Sequence, residues 1–116
     1  MIVNKTTTKS YQWGKSCEGW FFHDSSDLSI IVEVIPPGEE EKLHYHKEKS
    51  QFFFVRKGNL SIYKDDNYFQ VRPGEGILVG PGERHRVTNE GKEPVEFLLI
   101  SNSSNRQDKV QCEVSD

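Results

Sequence analysis

The chain is divided into short apolar segments by closely spaced turns that contain proline and glycine, and these turns restrict the folds available to it. The run 28–35 is rich in β-branched residues and stops at Pro36-Pro37-Gly38, and Arg72-Pro73-Gly74 and Gly80-Pro81-Gly82 stop two later runs. Proline cannot donate a hydrogen bond to a β-ladder, and glycine allows a tight turn. No segment of useful length shows helical periodicity. The pattern therefore predicts an all-β sandwich or barrel.

The 116 residues are enough for one hydrophobic core and one domain. We divide the chain into an N-terminal arm or edge strands at 1–27, a β-core at 28–101 and a polar tail at 102–116. Arms of this polar and aromatic kind often pair across a dimer, so we expect a homodimer. The strands predicted within the core are 28–35, 43–46, 51–55, 60–63, 68–71, 76–79, 85–88 and 95–100.

Charge and hydropathy exclude two classes of partner. The formal net charge is -3, whereas nucleic-acid binding usually needs a clearly basic face. No stretch approaches the roughly 20 apolar residues of a membrane span, and the first residues lack the apolar run of a signal peptide. We therefore expect no nucleic-acid or membrane partner and a cytoplasmic location. Cys17 and Cys112 are interpreted as reduced structural thiols.

Three of the four histidines are placed where they could meet at one ion. In a strand, His44 and His46 point to the same face with backbones about 6.6 Å apart. A metal needs further ligands from elsewhere in the fold. Gln51 begins the next strand across a charged turn, and His85 begins another strand after a Gly-Pro-Gly turn. Two surface histidines on a strand are the alternative interpretation of His44 and His46 taken alone.

The segment around the first two histidines resembles the first motif of the cupin superfamily. Gly38 is followed after five residues by His44-Tyr45-His46, after four more by Gln51, and after six more by Gly58. Gln51 stands where the family usually has Glu.

A second segment resembles the second cupin motif. Gly74 is followed after five residues by Gly80-Pro81-Gly82, after two more by His85, and after three more by Asn89, with Gly80 where the family usually has Pro. The resemblance covers roughly residues 28–101. It implies a small single-domain cupin with a jelly-roll β-barrel.

The resemblance also implies a divalent transition metal held by His44, His46, Gln51 and His85. Nitrogen and oxygen ligands suit Fe, Mn, Ni, Zn and Cu alike. A glutamine in place of the usual carboxylate leaves the ligand set neutral. The ion is then a stronger Lewis acid and attracts anions. Dioxygen chemistry is disfavoured because the facial-triad carboxylate is missing.

Two functions of different class remain open at this point. The first is a metal-dependent enzyme acting on a small polar or anionic molecule by isomerase- or lyase-type chemistry. The second is a non-catalytic binding or sensing module with a structural metal. An enzyme needs a titratable group inside the cavity besides the ligands. The sequence offers Glu33, Tyr63 and Glu96 as candidates and assigns no catalytic residue.

Comparison with uronate-opening cupins narrows the choice of reaction. Small cupins that open unsaturated uronates resemble this chain at all four ligand positions, but they place a catalytic Asp on the last strand, where this chain has Leu98 or its neighbours. Phe53 and Val55 share the parity of Gln51 and are expected to line the cavity. Glu39-Glu40-Glu41 is interpreted as a solvated loop.

Overall fold

Strands and tight turns make up residues 2–112, the part of the chain that this computed structural model describes. The strands are β1 (Ser10–Trp13), β2 (Cys17–Ser25), β3 (Leu28–Ile35), β4 (His44–His46), β5 (Gln51–Lys57), β6 (Leu60–Lys64), β7 (Asn67–Val71), β8 (Gly76–Val79), β9 (His85–Thr88), β10 (Val95–Ser101) and β11 (Lys109–Gln111). A 3-10 turn, Arg106–Asp108, precedes β11.

The strands form two antiparallel sheets. One sheet has the order β1-β2-β3-β10-β5-β8 and the other has the order β11-β4-β9-β6-β7. Chain neighbours are repeatedly separated between the sheets, as in a jelly roll. The predicted all-β jelly roll is therefore confirmed. Within residues 2–112, however, the strands form two separate sheets rather than one closed barrel.

The core lies between the two sheets because one face of each strand points inward. Its fully buried side chains include Ile35, Leu60, Ile62, Val87 and Phe97.

The β5–β6 turn depends on a glycine. Gly58 has a φ of 74°, and a Cβ there would lie 2.6 Å from the carbonyl oxygen of Pro94. Only glycine fits this backbone conformation and this close approach.

Both terminal segments pair with the core. β1 and β2 extend the larger sheet from β3, and β11 pairs with β4 so that Lys109 lies opposite His46. The predicted division at 1–27, 28–101 and 102–116 stays a prediction, and residue 1 and residues 113–116 lie outside the described part. The homodimer also stays a prediction. Within residues 2–112, no helix has the length and apolar character needed to cross a membrane.

Candidate metal centre

Strand alternation and pairing bring the three predicted histidines together. His44 and His46 are buried, while Tyr45 between them is half-buried and takes the other face of β4. His85, the first residue of β9, is fully buried and is the pairing partner of His44. One nitrogen from each ring lies within 4.8 Å of the others. The three imidazoles therefore form a group that could hold a metal ion.

The Nδ1 atoms of these rings are all occupied. His44 Nδ1 donates to the carbonyl oxygen of Lys42 at 2.8 Å, and His85 Nδ1 donates to that of Glu83 at 3.0 Å. His46 Nδ1 donates to Oδ1 of Asp108 at 2.9 Å. Because these partners are acceptors, each ring carries its proton on Nδ1 and leaves Nε2 as an electron-pair donor. This is the tautomer that a metal site needs.

Burial keeps the three rings neutral. It lowers the pKa of His44 to about 3 and that of His85 to about 4, and it lowers the pKa of His46 as well. Since the ordinary value is 6.5, all three imidazoles are unprotonated at Nε2 near neutral pH. No proton then has to be displaced before an ion binds.

Gln51, the fourth predicted ligand, is buried at the start of β5. It is 6% exposed, and its Oε1 has no hydrogen-bond partner within residues 2–112. In the described part of the chain, the Nε2 of His85 also lacks a hydrogen-bond partner. Buried polar atoms are seldom left unsatisfied, so an unpaired oxygen and an unpaired ring nitrogen fit a bound cation. Coordination by Gln51 stays a prediction.

A cavity of about 210 Å³ opens beside the histidines. His44, His46 and Gln51 lie on its wall. The other lining residues are apolar or charged, namely Tyr11, Trp13, Ile31, Glu33, Glu41, Lys49, Phe53, Leu99, Arg106 and Lys109. Its volume lies below the roughly 300–1,000 Å³ of pockets for drug-sized ligands. The cavity therefore suits a small molecule.

Glu33 is the one of the three candidate titratable groups that lines this cavity. Tyr11 donates its hydroxyl to Oε2 of Glu33 at 2.6 Å. Burial raises the pKa of Glu33 from 4.5 to about 7, although the Tyr11 hydrogen bond and the charge of Lys109 oppose the rise. Burial also raises the pKa of Tyr11, together with the nearby charge of Glu33. Glu33 can therefore exchange a proton near neutral pH.

The other two candidates lie away from the cavity. Glu96 is buried on the opposite face of its sheet, where it contacts Lys5 and Arg56. Tyr63 donates to the exposed carboxylate of Glu90.

The interpretation of residues 39–41 as a solvated loop is wrong for Glu41. An isolated bridge between Glu40 and Thr88 fixes this segment against β9. The side chain of Glu40 points outward and forms an ion pair with Arg86. That of Glu41 points inward, where its carboxylate accepts a hydrogen bond from the amide of Val87 at 3.0 Å. Burial and the charge of Glu33 raise the pKa of Glu41 to about 8.

Two neighbouring predictions have mixed outcomes. Phe53 lines the cavity as expected, but Val55 is fully buried in the core beyond the cavity wall. On the last core strand, Leu98 is half-buried and Leu99 lines the cavity. No carboxylate therefore occupies the place where uronate-opening cupins carry their catalytic Asp.

Sequence reasoning missed Asp108, Tyr11 and Glu41. Asp108 lies in a polar segment without a motif, and no sequence signal marks it. For Tyr11, the alternation of Tyr11 and Trp13 in β1 was the available signal, since both side chains turn toward the core.

The fold and the histidine cluster together define a cupin-type protein. The sequence matches the Cupin domain family over residues 31–101, which is more than half of the chain. The chain therefore belongs to the cupin family.

The alignments with curated relatives cover only part of each relative. The chain is 37% identical over 69 residues to Protein SchB of Streptomyces halstedii, covering 60% of this chain and 49% of SchB. It is 33% identical over 68 residues to Polyketide synthase CurC of Streptomyces cyaneus, covering 59% of this chain and 44% of CurC. The chain thus spans about half the length of the curated relatives it matches.

Two solved structures share the fold over nearly the whole chain. The polyketide cyclase RemF from Streptomyces resistomycificus has a TM-score of 0.85 and 19% identity, covering 100% of this chain and 87% of RemF. KdgF from Halomonas sp. has a TM-score of 0.82 and 13% identity, covering 93% and 96%. At these identities the likeness shows the fold alone.

Proposed function

We propose that this chain is a metal-dependent cupin enzyme that acts on a small polar or anionic molecule by isomerase- or lyase-type chemistry. The observation that carries the proposal is the combination, in one cavity, of neutral imidazoles and an unpaired amide oxygen with a carboxyl group whose pKa is about 7. A pure binding module has no need of a proton-transfer group poised near neutral pH.

The residues fit a divalent transition metal held by His44, His46, His85 and Gln51. Such an ion would supply a Lewis acid beside the cavity. The remaining chemistry belongs to the chain. Glu33 can accept a proton from a carbon of the substrate at one of its carboxylate oxygens, and the Tyr11 hydroxyl holds that carboxylate in place. Glu33 returns the proton to another atom of the same molecule in an isomerisation, or to a leaving group in an elimination.

The charge of the cavity favours an anionic substrate. Lys49, Arg106 and Lys109 contribute cationic groups to the lining. The two lining carboxyls, Glu33 and Glu41, have pKa values of about 7 and 8, so they are at most partly ionised at neutral pH. The lining therefore carries net positive charge, which attracts anions into the site.

The size of the cavity limits the substrate. CurC is named a polyketide synthase and RemF a polyketide cyclase, and these names suggest carbonyl compounds as substrates. A cavity of about 210 Å³ favours a short oxo or hydroxy acid over a polycyclic product.

The experiment begins with metal content. Purified protein is expected to contain close to one transition-metal equivalent per chain, and His46→Ala to lose it. Full metal occupancy in His46→Ala would contradict the ligand assignment.

The second stage measures proton transfer without knowledge of the product. The loaded protein is incubated in D₂O with small oxo, hydroxy and uronic acids, and the loss of C–H signals is followed by NMR. Glu33→Gln should keep the metal and lower the exchange rate by about 10²–10⁴-fold. Glu96→Gln is the matched control, because Glu96 is equally buried but faces away from the cavity. Ligand binding without exchange or product in the wild type would support the sensing module instead.

A further inference from the structure

The carboxylate of Asp108 joins the C-terminal segment to the candidate metal centre. Asp108 is 5% exposed and ends the 3-10 turn before β11. Its Oδ1 accepts from Nδ1 of His46 at 2.9 Å, and its Oδ2 accepts from the amides of Lys49 at 3.1 Å and Glu48 at 3.3 Å. Its backbone carbonyl accepts from the amide of Lys47 at 3.0 Å.

These bonds brace the turn between two of the predicted ligands. Residues 47–50 connect His46 to Gln51, and Asp108 bonds three successive amides of this turn. A displacement of Asp108 would therefore disturb the ring of His46 directly and the approach of the chain to Gln51 indirectly.

The partner of His46 differs in charge from those of the other two rings. His44 and His85 donate to neutral carbonyl oxygens only two residues away, whereas His46 donates to a carboxylate 62 residues along the chain. An anionic acceptor at Nδ1 increases the electron density at Nε2 and strengthens the ring as a ligand. The predicted ligand set of three imidazoles and an amide is otherwise neutral.

We propose that Asp108 is a positioning residue for the candidate metal centre: its carboxylate orients His46 and balances the buried ammonium of Lys49, 3.8 Å from Oδ1, beside a ligand set to which Gln51 adds no charge. This inference rests on the proposed metal site. Asp108 lies outside residues 31–101, the part of the chain that matches the cupin family. The bond to His46 therefore comes from a residue outside the segment that matches the family.

The test is a Co²⁺ titration of the full chain, followed by calorimetry and by the visible absorption bands of the bound ion. Asp108→Asn removes the charge and should lower Co²⁺ affinity by about 10–100-fold and shift the bands. Asn105→Ala is the matched control, because Asn105 caps the same turn through the amide of Gln107 without touching His46. Its affinity should stay within about threefold of the wild type.

A second pair of variants separates the charge from the fold. In the Gln51→Glu background, Asp108→Asn should lower Co²⁺ affinity less than it does in the wild type, because the ligand set then has its own carboxylate. If Asp108→Asn does not fold by circular dichroism, Asp108→Glu takes its place, since it keeps the charge but misplaces it, and should also bind Co²⁺ more weakly.

The outcomes distinguish this inference from the proposed function. If the wild type binds Co²⁺ and Asp108→Asn binds it equally well with unchanged bands, Asp108 has no role at the metal and the inference is overturned. If the wild type binds no divalent metal, the proposed function itself fails.

Discussion

The free energy of unfolding of Glu33→Gln minus that of the wild type should increase as the pH rises. Gln matches the shape of a protonated Glu and can still accept the hydrogen bond from Tyr11. It cannot ionise. The comparison therefore isolates the effect of ionising a buried carboxyl group.

The sign follows from the proton linkage. The pKa of Glu33 is about 7 in the folded protein and 4.5 as its ordinary value. Between these pH values the folded state retains a proton that the unfolded state has lost, so the free energy of unfolding falls as the pH rises. A tenfold change in proton affinity corresponds to about 1.4 kcal/mol, so the full loss is roughly 3 kcal/mol. Glu33→Gln does not lose this free energy of unfolding, because Gln cannot ionise.

The groups facing Glu33 are present in both proteins. They are Tyr11 from β1, Cys17 from β2, Glu41 from the segment before β4 and Lys109 from β11. The histidines have lowered pKa values and destabilise both proteins at low pH, so their effect cancels in the difference. Removal of the Glu33 charge also lowers the pKa of Glu41, which acts in the same direction.

Urea denaturation at several pH values from 5 to 8.5, with EDTA present, measures the difference. The free energy of unfolding of Glu33→Gln minus that of the wild type should increase by roughly 2.5 kcal/mol across this range, because part of the loss has already occurred at pH 5. A flat difference for Glu33→Gln between pH 5 and 8 would refute the raised pKa and with it the proton-transfer role.

Two further predictions concern the predicted fourth ligand and the hydrophobic core. Gln51→Glu should bind divalent metal at least about tenfold more tightly and anions more weakly, because a carboxylate attracts a contacting dication by several kcal/mol even in water; unchanged metal affinity in a calorimetric titration would mean that Gln51 does not coordinate. Phe97→Ala should lower the free energy of unfolding by about 3–5 kcal/mol, since Phe97 is fully buried with its ring centroid 5.6 Å from that of Phe53. Urea denaturation tests this, with Phe69→Ala, 39% exposed, as the control; equal losses would contradict it.

The fold and the histidine cluster could be predicted because both depend on short-range rules. Proline and glycine turns mark the strand ends, and the period of two places His44 and His46 on one face. The pairing of His44 with His85 follows from the topology that the motif spacing implies. These features need no knowledge of how distant segments pack.

The facing of Glu33 could not be predicted in the same way. Its strand neighbours Ile31 and Ile35 face inward, but Ile30, Val32 and Val34 on the other face are apolar as well. With both faces apolar, hydrophobic alternation does not say which one meets the cavity. Which face of β3 meets the cavity is determined by how the rest of the sheet packs around this strand.

Glu41 escaped prediction for a different reason. Its direction is set by a single bridge between the preceding residue and β9, and this bridge lies outside any regular strand. Three adjacent glutamates form a polar run that by composition alone indicates a solvated loop. A contact of long sequence separation overrides that local signal.

The side chains that form hydrogen bonds to Glu33 and His46 lie outside the part of the chain that matches the cupin family. The three histidines, Gln51 and Glu33 all lie within residues 31–101. Tyr11, which holds Glu33, and Asp108, which holds His46, lie in the flanking segments. Membership of the cupin family therefore accounts for the candidate ligands but not for Tyr11 and Asp108, the groups that we propose to assist proton transfer and metal binding. An activity can be carried over from SchB or CurC only if their chains place equivalent side chains at β1 and at the turn before β11.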